Sequence, residues 1–383
     1  MIFTRNLKLP PKPTTSFFLW GPRQTGKTTL LNKVYPKAHK INLLKRDLLL
    51  RYSQKPWLLR EELLAKSIKQ LVVIDEIQKV PALLDEVHYL IEEENFTFVL
   101  CGSSARKVKR GHANLLGGRA LKYELLGLSM NEIADEFDLL RIINTGPLPS
   151  HYLHKNPYLA LRSYVDDYLK EEILDEGIVR SLPIFSDFLR VSAIGDTEVI
   201  NLTNIARECG VSAATVRDHY SILTDTLLGA FVPSFTKKPK RRTIQAPKFY
   251  FRDVGIVNHL VRRRDIEPGT SEFGKAFENW LFHELSVHSR YSEQFYDITY
   301  WRLTTGVEVD FVIYDGNTAI EVKGKEKITS NDLKGLIELK KEYPEVKNRI
   351  IVCLEPFARK IKNGILVLPY REFINRLYKN EFK

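Results

Sequence analysis

Gly21-Pro22-Arg23-Gln24-Thr25-Gly26-Lys27-Thr28 follows directly on the apolar run Ser16-Phe17-Phe18-Leu19-Trp20. That junction decides the fold of the first part of the chain. The spacing G-x-x-x-x-G-K-[ST] lets backbone N–H groups wrap closely around a phosphate, with Gly21 and Gly26 permitting the backbone angles. Gln24, Thr25, Gly26, Lys27, Thr28 and Thr29 form the expected nucleotide-contacting stretch. Lys27 would reach the β- and γ-phosphates of ATP, and Thr28 would offer its hydroxyl to Mg²⁺. The loop should open a helix over 27–35, stopped by Pro36, with its positive N-terminal end aimed at the same anion.

Working outward, Leu71-Val72-Val73-Ile74-Asp75-Glu76 reads as a short buried strand ending in two carboxylates. In a parallel sheet its C-terminal end would lie beside the phosphate loop. Asp75 would hold the Mg²⁺ shell and Glu76 would polarise the attacking water. The next strand, Phe96 to Gly102, ends at Ser103-Ser104. Ser103 can sense the γ-phosphate there, and an ordinary Gly-Ser turn is the other reading. Leu115-Leu116-Gly117-Gly118-Arg119 delivers one arginine on a loop. Arg119 is the candidate finger for transition-state charge, or a surface arginine; Arg106 and Arg110 are the runners-up.

Several stretches together carry a resemblance. They are Ile74-Asp75-Glu76-Ile77-Gln78-Lys79-Val80-Pro81, Gly102-Ser103-Ser104, Gly117-Gly118-Arg119, and Leu125-Leu126-Gly127-Leu128-Ser129 with Glu132. Further on come Ser163-Tyr164, Tyr168-Leu169, Phe249-Tyr250-Phe251 with Asp253, and Gly274 to Trp280. In this order they resemble a family of bacterial and archaeal AAA+-type ATPases whose C-terminal region is of unknown function. The resemblance covers most of the chain. It departs at Gly127, where proline is expected, and no second-sensor arginine is placed.

Gly146-Pro147-Leu148-Pro149 is a breaker cluster. From Asn156 to Ile178 apolar residues recur at helical spacing, a packed connector. Leu202 to Leu228 reads as a helix-turn-helix, with Thr203 capping the first helix, Gly210 closing it and Ser212 capping the second. The basic stretch Phe235 to Arg242 would be the wing, contacting phosphate, while Ala213, Ala214 and Thr215 are poor base readers. A purely structural role is the alternative for this module.

A helix over 272–290 presents Phe273, Phe277, Trp280, Leu281 and Leu285 on one face, with Glu278 at its flank. Strands follow at 299–303, 307–313 and 319–323. Alternation puts Glu321 and Lys323 on one face, and Asp310 would join them from the neighbouring strand. Two carboxylates beside a lysine suit Mg²⁺-dependent phosphodiester cleavage. Asp310 and Glu321 would hold the metal, Lys323 would orient or help deprotonate water, and Glu278 would complete the shell. With a helix at 330–343 and a strand at 349–354, this order resembles the PD-(D/E)xK nuclease fold. Glu284 is the alternative helix carboxylate, expected to pair locally.

Net charge is +11, favouring a polyanionic partner. Cys101, Cys209 and Cys353 are too scattered for a disulfide framework or a cysteine zinc cluster. His151 and His154 have no completing ligands and read as a solvated connector. No apolar stretch would span a membrane and no secretory leader is read, so a cytosolic protein is expected. The reading is an α/β protein with four parts. These are an AAA+-type P-loop ATPase module over 1–145, a helical connector over 146–199, a winged helix over 200–245, and a restriction-endonuclease-like α/β domain over 246–383. It would bind and hydrolyse ATP, engage DNA and cleave it with Mg²⁺. The alternative is an ATP-dependent switch whose C-terminal domain only binds nucleic acid or a protein partner. A homo-oligomer follows if Arg119 acts on a neighbour.

Overall fold

The computed structural model describes residues 3–66, 71–104, 116–169, 181–237 and 242–383. It divides into two compact units. One holds Arg5–Leu126 with Ser221–Leu228; the other holds Met1–Thr4, Gly127–Tyr220 and Gly229–Lys383. Among the described residues no helix is long and apolar enough to cross a membrane.

In the first unit, β1 (Ser16–Trp20), β2 (His39–Asn42), β3 (Val72–Asp75), β4 (Phe98–Gly102) and β5 (Ala120–Glu124) form one sheet in the order β2-β3-β4-β1-β5. Every pairing in it is parallel. β1, β3 and β4 are buried at every position, which is why they read as near-continuous apolar runs. The helix Leu83–Glu92 buries Leu83, Leu84, Val87 and Leu90, one face at helical spacing. The acid-bearing strand does not pair with the loop-bearing one. β4 lies between them, with Cys101 level with both Leu19 and Asp75.

In the second unit, the helices Leu202–Cys209 and Ala213–Asp225 form the helix-turn-helix, the second passing into the first unit's Ser221–Leu228 segment. Asn201, not Thr203, caps the first helix, its side chain accepting from Asn204 N at 3.1 Å. Asparagine satisfies an orphan N–H from the residue before the first turn, and Thr203 already lies inside that turn. Ser212 caps the second as expected, accepting from Thr215 N at 3.1 Å.

Two strands flank the stretch expected as the wing, β6 (Gly229–Val232) and β7 (Lys248–Phe251), paired antiparallel. The expected Phe235–Arg242 strand is instead part of the excursion between them, of which 238–241 lie outside the described residues. On either side of that gap the excursion runs beside β8 (Thr299–Arg302). Phe235 N donates to Tyr300 O at 2.6 Å, and Ile244 N to Arg302 O at 2.9 Å.

β8, β9 (Glu308–Ile313), β10 (Thr318–Lys323), β11 (Asn348–Cys353), β12 (Arg359–Lys360) and β13 (Leu366–Pro369) make a mixed sheet ordered β12-β13-β11-β10-β9-β8. Separate apolar clusters sit about it. One joins Phe273, Phe277, Trp280 and Leu281 of the long Ser271–Tyr291 helix to Phe311, Ile320 and Val352. The other joins Leu336 and Leu339 of the Lys334–Glu342 helix to Val309, Ala319 and Ile351. Burial from both sides explains why the period-2 signal is weak here and acidic residues stand out instead.

Two helices of this unit cross at backbone distance. A Cβ on Gly255, in Val254–Leu260, would stand 2.3 Å from the carbonyl oxygen of Thr145, so only glycine allows the approach. From 157 to 169 the connector is an α-helix, Pro157–Arg162, running into a π-helical turn, Ser163–Leu169. The rest of the connector expected to Ile178 lies outside the described residues. His151 is not solvated: it is fully buried, its charged form pushed down to about 4 by burial and then by His154 and His259.

Candidate functional site

The phosphate loop is held before any ligand arrives. Gly26 (φ 91°) and Gln24 (φ 63°) take left-handed backbone, turning successive amides into the concavity at the start of helix Lys27–Val34. Thr25 Oγ1 donates to Pro22 O at 2.8 Å, so its side chain stitches the loop. Lys27 Nζ donates to Gly21 O at 2.7 Å and Pro22 O at 2.9 Å. Thr28 Oγ1 donates to Asp75 Oδ2 at 2.8 Å, and Thr29 is exposed on the same first turn. Asp75 Oδ1 is buried without a hydrogen-bond partner among the described residues. An acceptor left bare beside a threonine hydroxyl fits Mg²⁺, with Thr28 and Asp75 as its holders.

Glu76 is buried and left-handed at φ 61°. Gln78 Nε2 donates both to Glu76 Oε2 and to Ser103 Oγ, the latter at 3.0 Å. Glu76 and Ser103, each just past the end of one of the two adjacent strands β3 and β4, are thus joined by one amide. Gly102 makes room for it, since a Cβ there would lie 2.4 Å from Gln78 Oε1. Arg5 adds a clamp, donating to Thr25 O at 2.7 Å and Leu126 O at 2.6 Å. Sequence reasoning quoted Gln78 without giving it a role and overlooked Arg5, whose partners are carbonyls that no motif displays. Arg119 sits on an exposed surface, ion-paired with Glu92; Arg106 and Arg110 lie outside the described residues.

The acid–lysine constellation does converge. Lys323 Nζ lies 2.6 Å from Glu321 Oε1, and Asp310 Oδ2 accepts from Val322 N at 2.8 Å, placing its carboxyl between the two. Glu278 accepts from Tyr250 Oη and, at 3.3 Å, from Lys248 Nζ. Lys248 also stands 3.9 Å from Asp310 Oδ1. Lys248 and Tyr250 come from β7, which Asp196 fixes in place: its two oxygens accept from Phe251 N and Asn279 Nδ2, both at 2.8 Å. Neither was foreseen, although a lysine heading the buried aromatic strand Lys248-Phe249-Tyr250-Phe251 is a signal, because a buried ammonium needs a carboxylate.

Burial governs the charges. It pushes Glu278 up to about 7 against the pull of Lys248, with Asp310 adding to the rise. Burial and then Asp310 push Glu321 well above the usual carboxylate range, in spite of Lys323. Burial works to lower both lysines, yet Glu278 and Asp310 hold Lys248 above its ordinary value, and Glu321 and Asp310 do the same for Lys323. Glu321 Oε2 is buried and bare among the described residues, which leaves one acceptor for a divalent cation beside Asp310, although those residues hold no group of three or more His, Cys, Asp or Glu arranged to take a metal.

Glu284 reaches beyond its own helix. It is fully buried and accepts from Met130 N at 2.8 Å, across 154 residues of sequence. The three cysteines are free and buried.

Residues 14–134 match the family described as an AAA domain. Residues 136–267 and 273–373 match two families, each described as a domain of unknown function. Uncharacterized proteins of Mycobacterium tuberculosis and Mycobacterium bovis are each 24% identical over 306 residues, spanning 77% of this chain and 66% of theirs, just under two thirds. An uncharacterized protein of Methanocaldococcus jannaschii is 22% identical over 354 residues, spanning 82% and 76%. Among solved structures, the replication initiator DnaA bound to AMPPCP and single-stranded DNA is 14% identical with a TM-score of 0.27, over 57% of this chain and 84% of that one. A signal-transduction ATPase with a tetratricopeptide repeat sensor from Pyrococcus horikoshii is also 14% identical, with a TM-score of 0.22 over 73% and 46%. The family match at 14–134 coincides with the parallel sheet, the phosphate loop and the Asp75–Glu76 strand end, and on that agreement the chain carries an AAA-type P-loop ATPase module.

Proposed function

We propose that the protein hydrolyses ATP at the Lys27–Thr28–Asp75–Glu76 site, engages DNA, and cleaves it with Mg²⁺ at the Glu278–Asp310–Glu321–Lys323 cluster. One observation carries the cleavage reading: carboxylates from a helix and two strands meet an ammonium in one buried place. Mg²⁺ held by Asp310 and Glu321 would supply Lewis-acid stabilisation of the phosphodiester's developing charge. Lys323, kept protonated by Glu321 and Asp310, counters that charge and orients water through its N–H donors rather than removing a proton. Glu278, pushed to about 7, can hold or release a proton near neutrality at the carboxyl shared with Tyr250 and Lys248. In the ATPase module, Gln78 fixes the rotamer of Glu76, which would polarise water, and Arg119 remains the candidate finger, in trans if copies associate.

The Lys248 ammonium favours a second reading. Lying against both Glu278 and Asp310, it neutralises part of the acid cluster and suits a domain that binds without cutting, switched by ATP. The two readings separate in one assay: full-length protein with linear, branched and single-stranded DNA, Mg²⁺ or Mn²⁺, with and without ATP. Strand scission by the native protein, lost in Lys323→Ala while ATP turnover persists, is the expected result. Scission retained in that variant removes the cleavage site. ATP-dependent binding without scission at any metal concentration selects the switch.

A further inference from the structure

We infer that the nucleic acid's phosphodiester backbone is gripped in an arginine-lined cleft built by the connector, the Leu182–Ile194 helix and the loop after Leu260. This rests on the reading that the protein engages nucleic acid. The cleft has a volume of about 710 Å³ and is lined by Arg162, Arg190, Arg262, Arg263 and Arg264, against only Asp166 and Asp187. Guanidiniums gathered on one cleft repel one another, and among its described lining residues arginines outnumber carboxylates. Asp166 is already engaged by Arg162 at 3.8 Å and His259 at 3.5 Å. Arg264 lies over the Tyr158 ring at 5.2 Å, a contact that favours one placement of its fork. Planar guanidiniums in fixed orientation match phosphate oxygens two at a time.

The scaffold beneath is tied together by hydrogen bonds and a close helix approach. Asn258 Nδ2 donates to Ile143 O at 2.8 Å, and Gly255 holds its helix at backbone distance from Thr145. Arg263 N donates to Asn258 O at 2.8 Å, fixing the loop that carries Arg262, Arg263 and Arg264. Cations without matched base-edge readers predict binding that ignores sequence and falls steeply with salt. An acidic peptide would need a dense carboxylate run to match a strand that carries one charge per nucleotide, so the strand is the better occupant.

The test titrates full-length protein into fluorescein-labelled single-stranded and duplex oligonucleotides, and into labelled poly-glutamate, across a salt series, reading anisotropy. Arg190→Gln/Arg263→Gln should weaken oligonucleotide binding about tenfold or more and lower the salt slope by roughly 1.5 to 2, with basal ATP turnover unchanged. Arg190→Glu/Arg263→Glu should weaken it further, while the thermal transition of both variants confirms folding. Native protein that binds oligonucleotide, with both variants matching its affinity and slope, overturns the cleft alone. Native protein that binds no oligonucleotide overturns the cleft and the nucleic-acid reading together. Poly-glutamate bound in preference to oligonucleotide, and lost in the variants, assigns the cleft to acidic protein instead.

Discussion

Between Gly21 and Thr29 consecutive residues make most of the nucleotide site, whereas Lys248, Glu278, Asp310, Glu321 and Lys323 reach the other site from a hairpin strand, a helix and two sheet strands. The first uses backbone geometry and a helix end, which short-range sequence dictates. The second uses buried charge, where each group's state depends on neighbours distant in sequence. Local construction tolerates losing one side chain without unfolding; construction from buried ions does not.

Lys27→Ala tests the local half most severely. ATP turnover should fall about 10²- to 10³-fold or more, read by phosphate release, with the thermal transition little changed, because Lys27 bonds only loop carbonyls here. A comparable loss of stability would break the contrast. Lys248→Met is its counterpart: Glu278 and Asp310 lose their buried counter-charge, and urea denaturation should show destabilisation of about 3 to 5 kcal/mol. A neutral result would mean the acids simply hold protons.

Glu284 sharpens the point through pH. Burial first, with Glu132 adding, raises its carboxyl to about 8, against the Met130 N–H. A raised folded value means the native state keeps the proton longer than the unfolded chain does. Stability from this group is therefore present below the ordinary carboxylate value and lost as pH climbs towards 8, at up to about 1.4 kcal/mol per pH unit. Glu284→Gln keeps an acceptor for Met130 N and should flatten that slope; an unchanged slope would show that Glu284 ionises freely.

Gln78→Ala should lower ATP turnover about tenfold at nearly constant KM, because Glu76 is left unaligned but the loop is intact. A change confined to KM would assign Gln78 to binding. Smallest of all, Asn201→Ala should cost about 1 kcal/mol in denaturant unfolding by uncapping one helix.

Sequence legibility follows the same division. The Lys27 helix, the Asp75 strand and the β9–β10 pair with Asp310, Glu321 and Lys323 were readable because each signal lies within one element or one hairpin. Gln78 was visible but mute, since its partner Ser103 lies on the neighbouring strand. Lys248 was hidden because its carboxylates follow 30 and 62 positions later. Basic composition pointed to Phe235–Arg242 as the wing, of which 238–241 lie outside the described residues, while the described strands are the better strand formers on either side. Glu284 was assigned a nearby partner because a helix flank shows nothing of a backbone N–H 154 residues upstream.

The excursion between β6 and β7 has a further meaning for β8. Tyr300 and Leu303 find bridge partners in Ser234 and Thr243, so a peptide ladder that would otherwise end in open donors and acceptors is sealed by the chain itself. Trimming that excursion would leave Tyr300-Trp301-Arg302 ready to zip onto another copy, edge to edge.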